Sequence, residues 1–181
     1  MKPYFKVMYN CARFHLLRLF KCHGIRVKGI LLLGYNTRIS VKKTSMLELG
    51  NRIVSDGRLT MIVDENARVR IGDHVYFNEG MMISAKQGIE IGDGCQFGPS
   101  VKIFDNNHQF DSEHGVLGEH VSERITIGRN CWIASNVTIL KGCEIGDRCV
   151  IGADCVVKGR IPDGSIVTQD SQLKIRKIEE K

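Results

Sequence analysis

The sequence predicts an all-β solenoid with a three-sided coil, and two observations support that fold class. First, residues 127–156 form five consecutive hexads, IGRNCW, IASNVT, ILKGCE, IGDRCV and IGADCV, each of which opens with isoleucine. Second, the same spacing occurs upstream and is interrupted once by a two-residue insert, giving Ile71, Phe77 and Ile83, then Ile91, Phe97 and Ile103. Neither an α-helix nor an alternating strand repeats every six residues. We therefore expect each hexad to form one side of a coil, with every third hexad stacked at a strand spacing of about 4.8 Å.

A polar segment interrupts this repeat at residues 105–124. The distance from Ile103 to Ile127 is 24 residues where one hexad would take six, and the excess of 18 equals one full coil. Length alone therefore does not distinguish an extra coil from a loop. The segment FDSEHGVLGEHVSE is polar and lacks the aliphatic spacing. We therefore interpret residues 105–124 as a loop extruded from the solenoid, and loops of this length are usually functional.

The amino-terminal segment predicts an amphipathic helix over residues 3–22. Lys6, Arg13 and Lys21 lie to one side of its apolar face, which consists of Phe5, Met8, Tyr9, Ala12, Leu16, Leu19 and Phe20. In one interpretation this face caps the open end of the solenoid, whose exposed edge would otherwise invite strand addition. In the other, the helix lies on an anionic membrane surface. We therefore divide the chain into a helix (1–23), a solenoid domain (24–167) and a charged tail (168–181).

Composition indicates a cytoplasmic protein, at the inner face of the membrane if the helix binds there. The chain has 181 residues and a net charge of +6, enough for one domain with a continuous core. It contains no apolar run of the roughly 20 residues that span a bilayer and no pattern typical of a secretory signal. The basic residues form no run interleaved with aromatic residues, which argues against a nucleic-acid partner.

The seven cysteines predict core thiols in a reducing compartment. Five of them occupy the fifth position of a hexad, and three of these should form one column, because Cys95, Cys131 and Cys149 fall on the same side of the coil if the loop leaves the coil count unchanged. Redox or metal roles are the alternatives. No C-x-x-C spacing is present, which excludes a zinc ribbon.

The hexads of residues 127–157 and the preceding segment FDNNHQF resemble the hexapeptide-repeat acyltransferases, and among them the sugar O-acetyltransferases. This group includes the maltose and galactoside acetyltransferases and the enzymes that modify surface polysaccharides. The resemblance covers about residues 47–178. It implies a left-handed parallel β-helix, a homotrimer, and acetyl-CoA bound as co-substrate between neighbouring solenoids. It implies no metal.

A histidine in the loop is the candidate general base. A hydroxyl that attacks a thioester must lose a proton, and histidine is the residue that most often accepts it. His108 matches the catalytic histidine of the family, whereas His114 and His120 read as exposed loop residues. The others are His15 and His23 in the helix and His74 in a turn. Asp105 would either orient the imidazole, as the acid does in a Ser-His-Asp triad, or end the strand with an Asx turn.

The resemblance also implies where acetyl-CoA would bind, and a coil edge in the earlier repeats offers candidate acceptor contacts. An outward backbone N–H at Ala134-Ser135 would stabilise the oxyanion, and Trp132 beside it would be covered by pantetheine or by a neighbouring subunit. Pantetheine would then follow Gly152 and Ala153. The phosphates would contact Lys158, Arg160 and Arg176, although this chain has Gly159 where relatives place a lysine, and Gln169–Gln172 where they carry a Gly-x-Pro-Ala-like turn. Asn78, Glu79 and Asn107 are candidate acceptor contacts, and for Asn78 and Glu79 the alternative is a solvated turn.

These residues predict direct acetyl transfer to a carbohydrate hydroxyl, on a soluble or a lipid-linked sugar, without an acyl-enzyme. An amine acceptor would use nearly the same residues. A γ-carbonic-anhydrase-like zinc enzyme, with His74, His108 and His114 as ligands, is a second alternative. A non-catalytic solenoid scaffold is the third.

Overall fold

The structure, a computed structural model that describes residues 3–20 and 24–170, is a three-sided parallel β-solenoid of about six coils. Helix α1 (Pro3–Phe20) precedes the first coil. The first three coils consist of β1 (Ile25–Val27), β2 (Leu31–Leu32) and β3 (Arg38–Val41); β4 (Met46–Leu49), β5 (Ile53–Ser55) and β6 (Leu59–Val63); and β7 (Arg68–Ile71), β8 (Tyr76–Phe77) and β9 (Met81–Ala85).

The fourth coil is followed by an insertion. The fourth coil consists of β10 (Gly88–Ile91), β11 (Gln96–Phe97) and β12 (Lys102–Phe104). The insertion then forms β13 (Asn106–Asp111) and β14 (Gly115–Ser122). The later coils consist of β15 (Ile125–Ile127), β16 (Trp132–Ile133) and β17 (Thr138–Leu140); β18 (Glu144–Ile145), β19 (Val150–Ile151) and β20 (Val156–Val157); and finally β21 (Arg160–Ile161) and β22 (Ile166–Val167).

Each side of the coil is one parallel sheet. Sheet A runs β1-β4-β7-β10-β15-β18-β21, sheet B runs β2-β5-β8-β11-β16-β19-β22, and sheet C runs β3-β6-β9-β12-β17-β20. Ile89 pairs with Ile125, and Ile91 with Ile127, across the insertion. The extra residues therefore leave the coil count unchanged, which confirms the predicted excursion. Its form differs from a loop, because β13 and β14 pair as an antiparallel hairpin.

The inward side chains of the hexads form one continuous core. The inward isoleucines are buried, and Phe77 stacks on Phe97 with ring centroids 5.2 Å apart. The predicted thiol column is confirmed: Cys95, Cys131 and Cys149 are buried immediately before β11, β16 and β19, which pair in sheet B, and each Sγ lies 3.0–3.1 Å from a backbone carbonyl oxygen. The six cysteines within the described residues are free. Burial raises the pKa of Cys143 to about 11, which favours the thiol form.

The three outer faces differ in character. Sheet A carries opposite charges on neighbouring strands, with ion pairs Arg26–Glu48 at 3.4 Å and Arg70–Glu90 at 2.9 Å. Sheets B and C expose apolar side chains in their later coils, of which Trp132 is 55% and Ile166 76% exposed. Exposed apolar patches of this kind indicate a contact surface.

Helix α1 packs across the first coils as a cap, but the prediction that its apolar face contacts the solenoid is wrong. Three of its polar side chains donate to backbone carbonyls of the solenoid: Lys6 to Ser55, Asn10 to Leu33 and Arg13 to Thr37. Phe14 is the buried apolar residue of this contact. The predicted face with Phe5, Met8, Tyr9, Ala12 and Leu16 is exposed instead. The reason is that the first turns end in carbonyl groups, which need donors rather than apolar side chains.

All the strands lie between Ile25 and Val167, within the predicted bounds 24–167 of the solenoid domain. Residues 21–23 and 171–181, and with them His23 and Arg176, lie outside the described residues, as does most of the predicted tail. Residues 3–20 and 24–170 contain no helix that is long and apolar enough to cross a membrane.

Candidate active site

The hairpin leaves the solenoid at the corner between sheets C and A. Asp105 follows β12 and is fully buried, and its carboxylate accepts the backbone N–H groups of Lys86 at 2.8 Å, Gln87 at 2.8 Å and Gly88 at 2.7 Å. The Asn106 amide donates to the same carboxylate at 3.0 Å. The backbone carbonyl of Asp105 accepts from Glu123 at 2.9 Å where the chain returns. Asp105 thus fastens both ends of the hairpin to the coil.

This geometry corrects both sequence-based interpretations of Asp105. Its carboxylate makes its hydrogen bonds to Asn106 and to the turn of the preceding coil, and within the described residues none of them reaches His108. Nor does it close an Asx turn two residues further on. A carboxylate with three backbone donors stabilises a turn that would otherwise bury unpaired N–H groups. Asp105 therefore positions the hairpin and does not orient the imidazole.

His108 projects from β13 opposite His120 of β14. The two residues are cross-strand partners, and their ring centroids lie 4.2 Å apart with an interplanar angle of 43°. His108 is exposed and His120 is partly buried. Sequence reasoning missed His120 because the register of an antiparallel hairpin depends on its turn and on the bulge between His108 and Phe110. The hairpin therefore presents one accessible imidazole, supported by a second.

An ion pair lies below this histidine pair. The Lys86 ammonium donates to the Asp64 carboxylate at 2.6 Å, and this bond lowers the pKa of Asp64. The pKa of His120 is also lowered, first by desolvation and then by the positive charge of Lys86 and by His108. The neutral imidazole of His120 is consequently favoured over the imidazolium.

The tip of the hairpin is held by Asp111 and leaves apolar side chains in solvent. The Asp111 carboxylate accepts from the backbone N–H groups of Glu113 at 3.0 Å and His114 at 2.6 Å, which closes the turn and lowers the pKa of Asp111. Phe110 and Val116 face each other across the strands and are 79% and 72% exposed. An exposed apolar pair on a projecting arm indicates that the arm contacts another surface.

Ala134 and Ser135 form the turn between sheets B and C in the fifth coil. The N–H of Ala134 donates to the Ile151 carbonyl at 2.9 Å. Among the described residues no acceptor faces the N–H of Ser135. Gly98 lies beneath this turn so closely that a Cβ there would be 2.8 Å from the Ser135 nitrogen. A free outward N–H on a tightly supported turn is the geometry that an oxyanion donor requires.

The next coil repeats this arrangement. The N–H of Gly152 donates to Val167 at 2.8 Å, while that of Ala153 has no acceptor within the part of the chain that the structure describes. Trp132 stands on the adjoining face of sheet B, paired with Gln96 and Val150. Ser135, Ala153 and Trp132 thus form one strip along the corner between sheets B and C, with two free N–H donors beside an exposed indole.

The other predicted residues are placed differently. Lys158 is exposed at the corner between sheets C and A, and Arg160 on sheet A, so neither lies on the strip of Ser135 and Ala153. Asn78 and Glu79 form an earlier turn between sheets B and C, where the Asn78 side chain accepts the Glu79 N–H at 2.8 Å and the Glu79 carboxylate accepts the Arg58 N–H at 2.9 Å. These bonds give both residues a role in the turn. Asn107 is exposed on β13 beside His108.

Within one solenoid, the two halves of the predicted site therefore lie at different corners. His108 leaves from one corner of the triangle and Ser135 from another, with the outer face of sheet C between them. A site that contains both needs the hairpin of one subunit beside the turns of a neighbour. His74 lies at the third corner. Within residues 3–20 and 24–170, no three His, Cys, Asp or Glu side chains are grouped to hold a metal ion.

A parallel β-solenoid built from hexads is the architecture of hexapeptide-repeat proteins. Residues 124–159 match the family model described as bacterial transferase hexapeptide (six repeats). Over 70 positions the chain is also 39% identical to nodulation protein L of Rhizobium leguminosarum bv. viciae. These positions make up 39% of this chain and 37% of that protein. Over these residues the chain is similar to the bacterial hexapeptide-repeat transferases. The match spans little more than a third of the curated relative.

Two solved proteins share the fold. A hexapeptide-repeat-containing acetyltransferase from Vibrio cholerae is 25% identical, with a TM-score of 0.58 over 86% of this chain and 73% of that one. The same protein from Vibrio cholerae O1 biovar eltor, in complex with acetyl coenzyme A, is 22% identical with a TM-score of 0.58, over 87% and 71% of the two chains. The N-acyltransferase AntD from Bacillus cereus, as its S84A mutant with dTDP-4-amino-4,6-dideoxyglucose and coenzyme A, is 17% identical with a TM-score of 0.66, over 85% and 82%.

Proposed function

We propose that the protein is an acetyl-CoA-dependent O-acetyltransferase that acts on a carbohydrate hydroxyl. The observation that carries the proposal is His108, an accessible imidazole held by the hairpin pairing and by the Asp105 anchor at its base. The acetyl coenzyme A of the Vibrio acetyltransferase and the sugar nucleotide of AntD support the two substrate classes.

The reaction we propose is direct transfer in a ternary complex. His108 accepts the hydroxyl proton as the sugar oxygen attacks the thioester carbonyl, and the N–H of Ser135 stabilises the oxyanion that forms. Collapse of that intermediate breaks the carbon–sulfur bond, and the imidazolium returns its proton to the departing thiolate. The five core thiols lie inside the solenoid, away from any acyl donor. An acyl-enzyme on those cysteines is therefore not part of the mechanism.

The site is proposed to lie between subunits of a homotrimer. The hairpin of one solenoid would reach the Ser135 strip of the next, and Phe110 and Val116 would then lose their exposure to solvent. Trp132, Gly152 and Ala153 of one subunit would line the pantetheine path. Lys158 and Arg160 lie away from that strip and would reach the phosphates from the neighbouring subunit, with Arg176 as the third candidate. We place this trimer in the cytoplasm, where acetyl-CoA is available and free thiols persist.

The proposal is tested by acceptor-dependent release of coenzyme A, read as free thiol and corrected for hydrolysis. The panel should contain neutral sugars, amino sugars, sugar nucleotides and lipid-linked sugars, so that hydroxyl and amine acceptors are compared. Calorimetry with coenzyme A provides the binding control. Turnover with a hydroxyl acceptor supports O-acetylation, turnover only with amines points to an N-acetyltransferase, and absence of coenzyme A binding contradicts the proposal.

A further inference from the structure

Helix α1 presents an apolar face to solvent while its polar face packs on the solenoid. The contacts of Lys6, Asn10 and Arg13 with backbone carbonyls fix that orientation. On the opposite side Tyr4 is 78%, Phe5 59%, Met8 67% and Leu16 52% exposed. Cys11, Ala12 and His15 complete this side, which carries no Lys, Arg, Asp or Glu among residues 4–16. We call it the outer face of α1. An ordinary surface helix buries its apolar face and exposes its polar face, so the orientation of α1 is reversed.

An apolar groove continues this face onto the solenoid. It has a volume of about 540 Å³ and is lined by side chains that include Tyr4 and Val7 of α1 and Ile30, Leu32 and Val54 of the first coils. Ile30 is itself 47% exposed. At the edge of the outer face of α1, Tyr9 packs against Tyr35 with ring centroids 4.7 Å apart, and both tyrosines are about 40% exposed. Tyrosines at the edge of an apolar patch are typical of surfaces that contact a membrane interface.

The positive charge of the chain is concentrated at the same end. Residues 1–47 contain ten of the 26 Lys and Arg residues and none of the 20 Asp and Glu residues. The remainder of the chain is consequently net negative. Lys28, Arg38, Lys42 and Lys43 are exposed on the first coil, next to the helix that caps it. The outer face of α1 is therefore surrounded by cations without acidic neighbours on the first coil.

We propose that this end of the solenoid docks on an anionic lipid bilayer, with the outer face of α1 buried among the headgroups and the basic first coil beside them. The positive charge of this end favours a membrane over a second copy of the chain as the partner of this surface. Two such ends brought face to face would repel each other, whereas anionic lipids neutralise them. Stable peripheral binding requires two contributions, and here the positive charge supplies one and the exposed apolar side chains supply the other. The docking is independent of the chemistry at His108.

The test is sedimentation of the full chain with phosphatidylcholine vesicles, with and without phosphatidylglycerol. We expect binding that requires the anionic lipid and weakens as salt is added. The double variant Phe5→Ser/Met8→Ser should lose about tenfold or more in vesicle affinity, because two apolar side chains no longer leave water. Val156→Ser is the control, an exposed apolar side chain near the end of the solenoid opposite α1, and should bind as wild type does.

A second pair of variants tests the charge. Lys42→Glu/Lys43→Glu on the first coil should abolish binding to anionic vesicles, whereas Lys102→Glu/Arg129→Glu, the same charge change further along the solenoid, should retain most of it. Circular dichroism establishes that each variant is folded. Equal binding to neutral vesicles, or no binding at low salt, overturns the proposal. A change in oligomeric state caused by Phe5→Ser/Met8→Ser in the absence of lipid also overturns it and assigns the face to a second copy.

Discussion

The carboxylate of Asp105 accepts the backbone N–H of Gly88 at 2.7 Å, and this bond joins the base of the β13–β14 hairpin to the turn of the preceding coil. Lys86 and Gln87 donate to the same carboxylate, so that one buried side chain satisfies three donors. The hairpin projects away from the solenoid, and its further contacts are its own cross-strand pairs and the Asn106 amide, which donates to the Ser84 carbonyl at 3.3 Å. The position of His108 therefore depends on a residue that does not touch it.

Asp105→Ala should loosen this turn and the hairpin together. It leaves three N–H groups without their acceptor, at a cost of about 3 kcal/mol or more. We expect hydrogen-exchange protection of the amides of residues 86–88 to fall by about 10²-fold, the equivalent of that free energy. Asp111→Ala at the exposed tip is the matched control and should leave these amides protected. Equal protection in wild type and Asp105→Ala would contradict the anchoring role.

Lys86→Met should raise the pKa of His120. The positive charge of Lys86 lowers this pKa in the wild type, and its removal also leaves the Asp64 carboxylate, which favours the imidazolium, without its partner. NMR titration of the histidine Cε1–H signals measures the shift. Lys102→Met, which removes a charge on the outer face of sheet C, should leave His120 unchanged. A pKa of His120 that falls or stays constant in Lys86→Met would be inconsistent with the electrostatics described above.

Gly98→Ala tests the oxyanion donor without altering a side chain of the active site. The added Cβ would lie 2.8 Å from the Ser135 nitrogen and displace that turn. We expect kcat to fall by at least tenfold, towards the roughly 10²–10³ that removal of an oxyanion donor costs, with little change in coenzyme A affinity. Gly118→Ala meets no atom within 4 Å and serves as the control. Unchanged kcat in Gly98→Ala would remove Ser135 from the mechanism.

Trp132 reports coenzyme A binding, because it is the only tryptophan and is 55% exposed in the isolated chain. If pantetheine covers the indole, coenzyme A should shift its emission to shorter wavelength, and Trp132→Phe should abolish the signal. If a neighbouring subunit covers it, the free protein already emits at short wavelength and coenzyme A changes little. Saturation by coenzyme A, established by calorimetry, without any change in emission would exclude the pantetheine contact.

The repeat made the solenoid and the site of the insertion predictable. A hexad needs an apolar residue at one inward position, so Ile103 and Ile127 mark where the coil stops and resumes even though the segment between them has no pattern. The same frame placed Cys95, Cys131 and Cys149 in one column. These predictions succeeded because they depend on the spacing of the hexads and on the polar composition of the segment that interrupts it.

Three features could not be read from spacing. The pairing of His108 with His120 depends on the turn at Asp111 and on a bulge. The partner of Asp105 lies one coil earlier, and the residue type alone suggests a local turn instead. The predicted orientation of α1 was wrong because a helical wheel identifies the apolar face but not the backbone carbonyl groups to which Asn10 and Arg13 donate. Each depends on a contact between segments whose relative placement only the folded chain defines.

The measurement that tests the central claim most directly is acceptor-dependent acetyl transfer by His108→Ala beside His114→Ala, with coenzyme A affinity measured on both. If His108 is the general base, its loss should lower kcat by about 10²–10⁴-fold while binding persists, and His114→Ala should behave as wild type. Full acceptor-dependent turnover by His108→Ala would contradict the account.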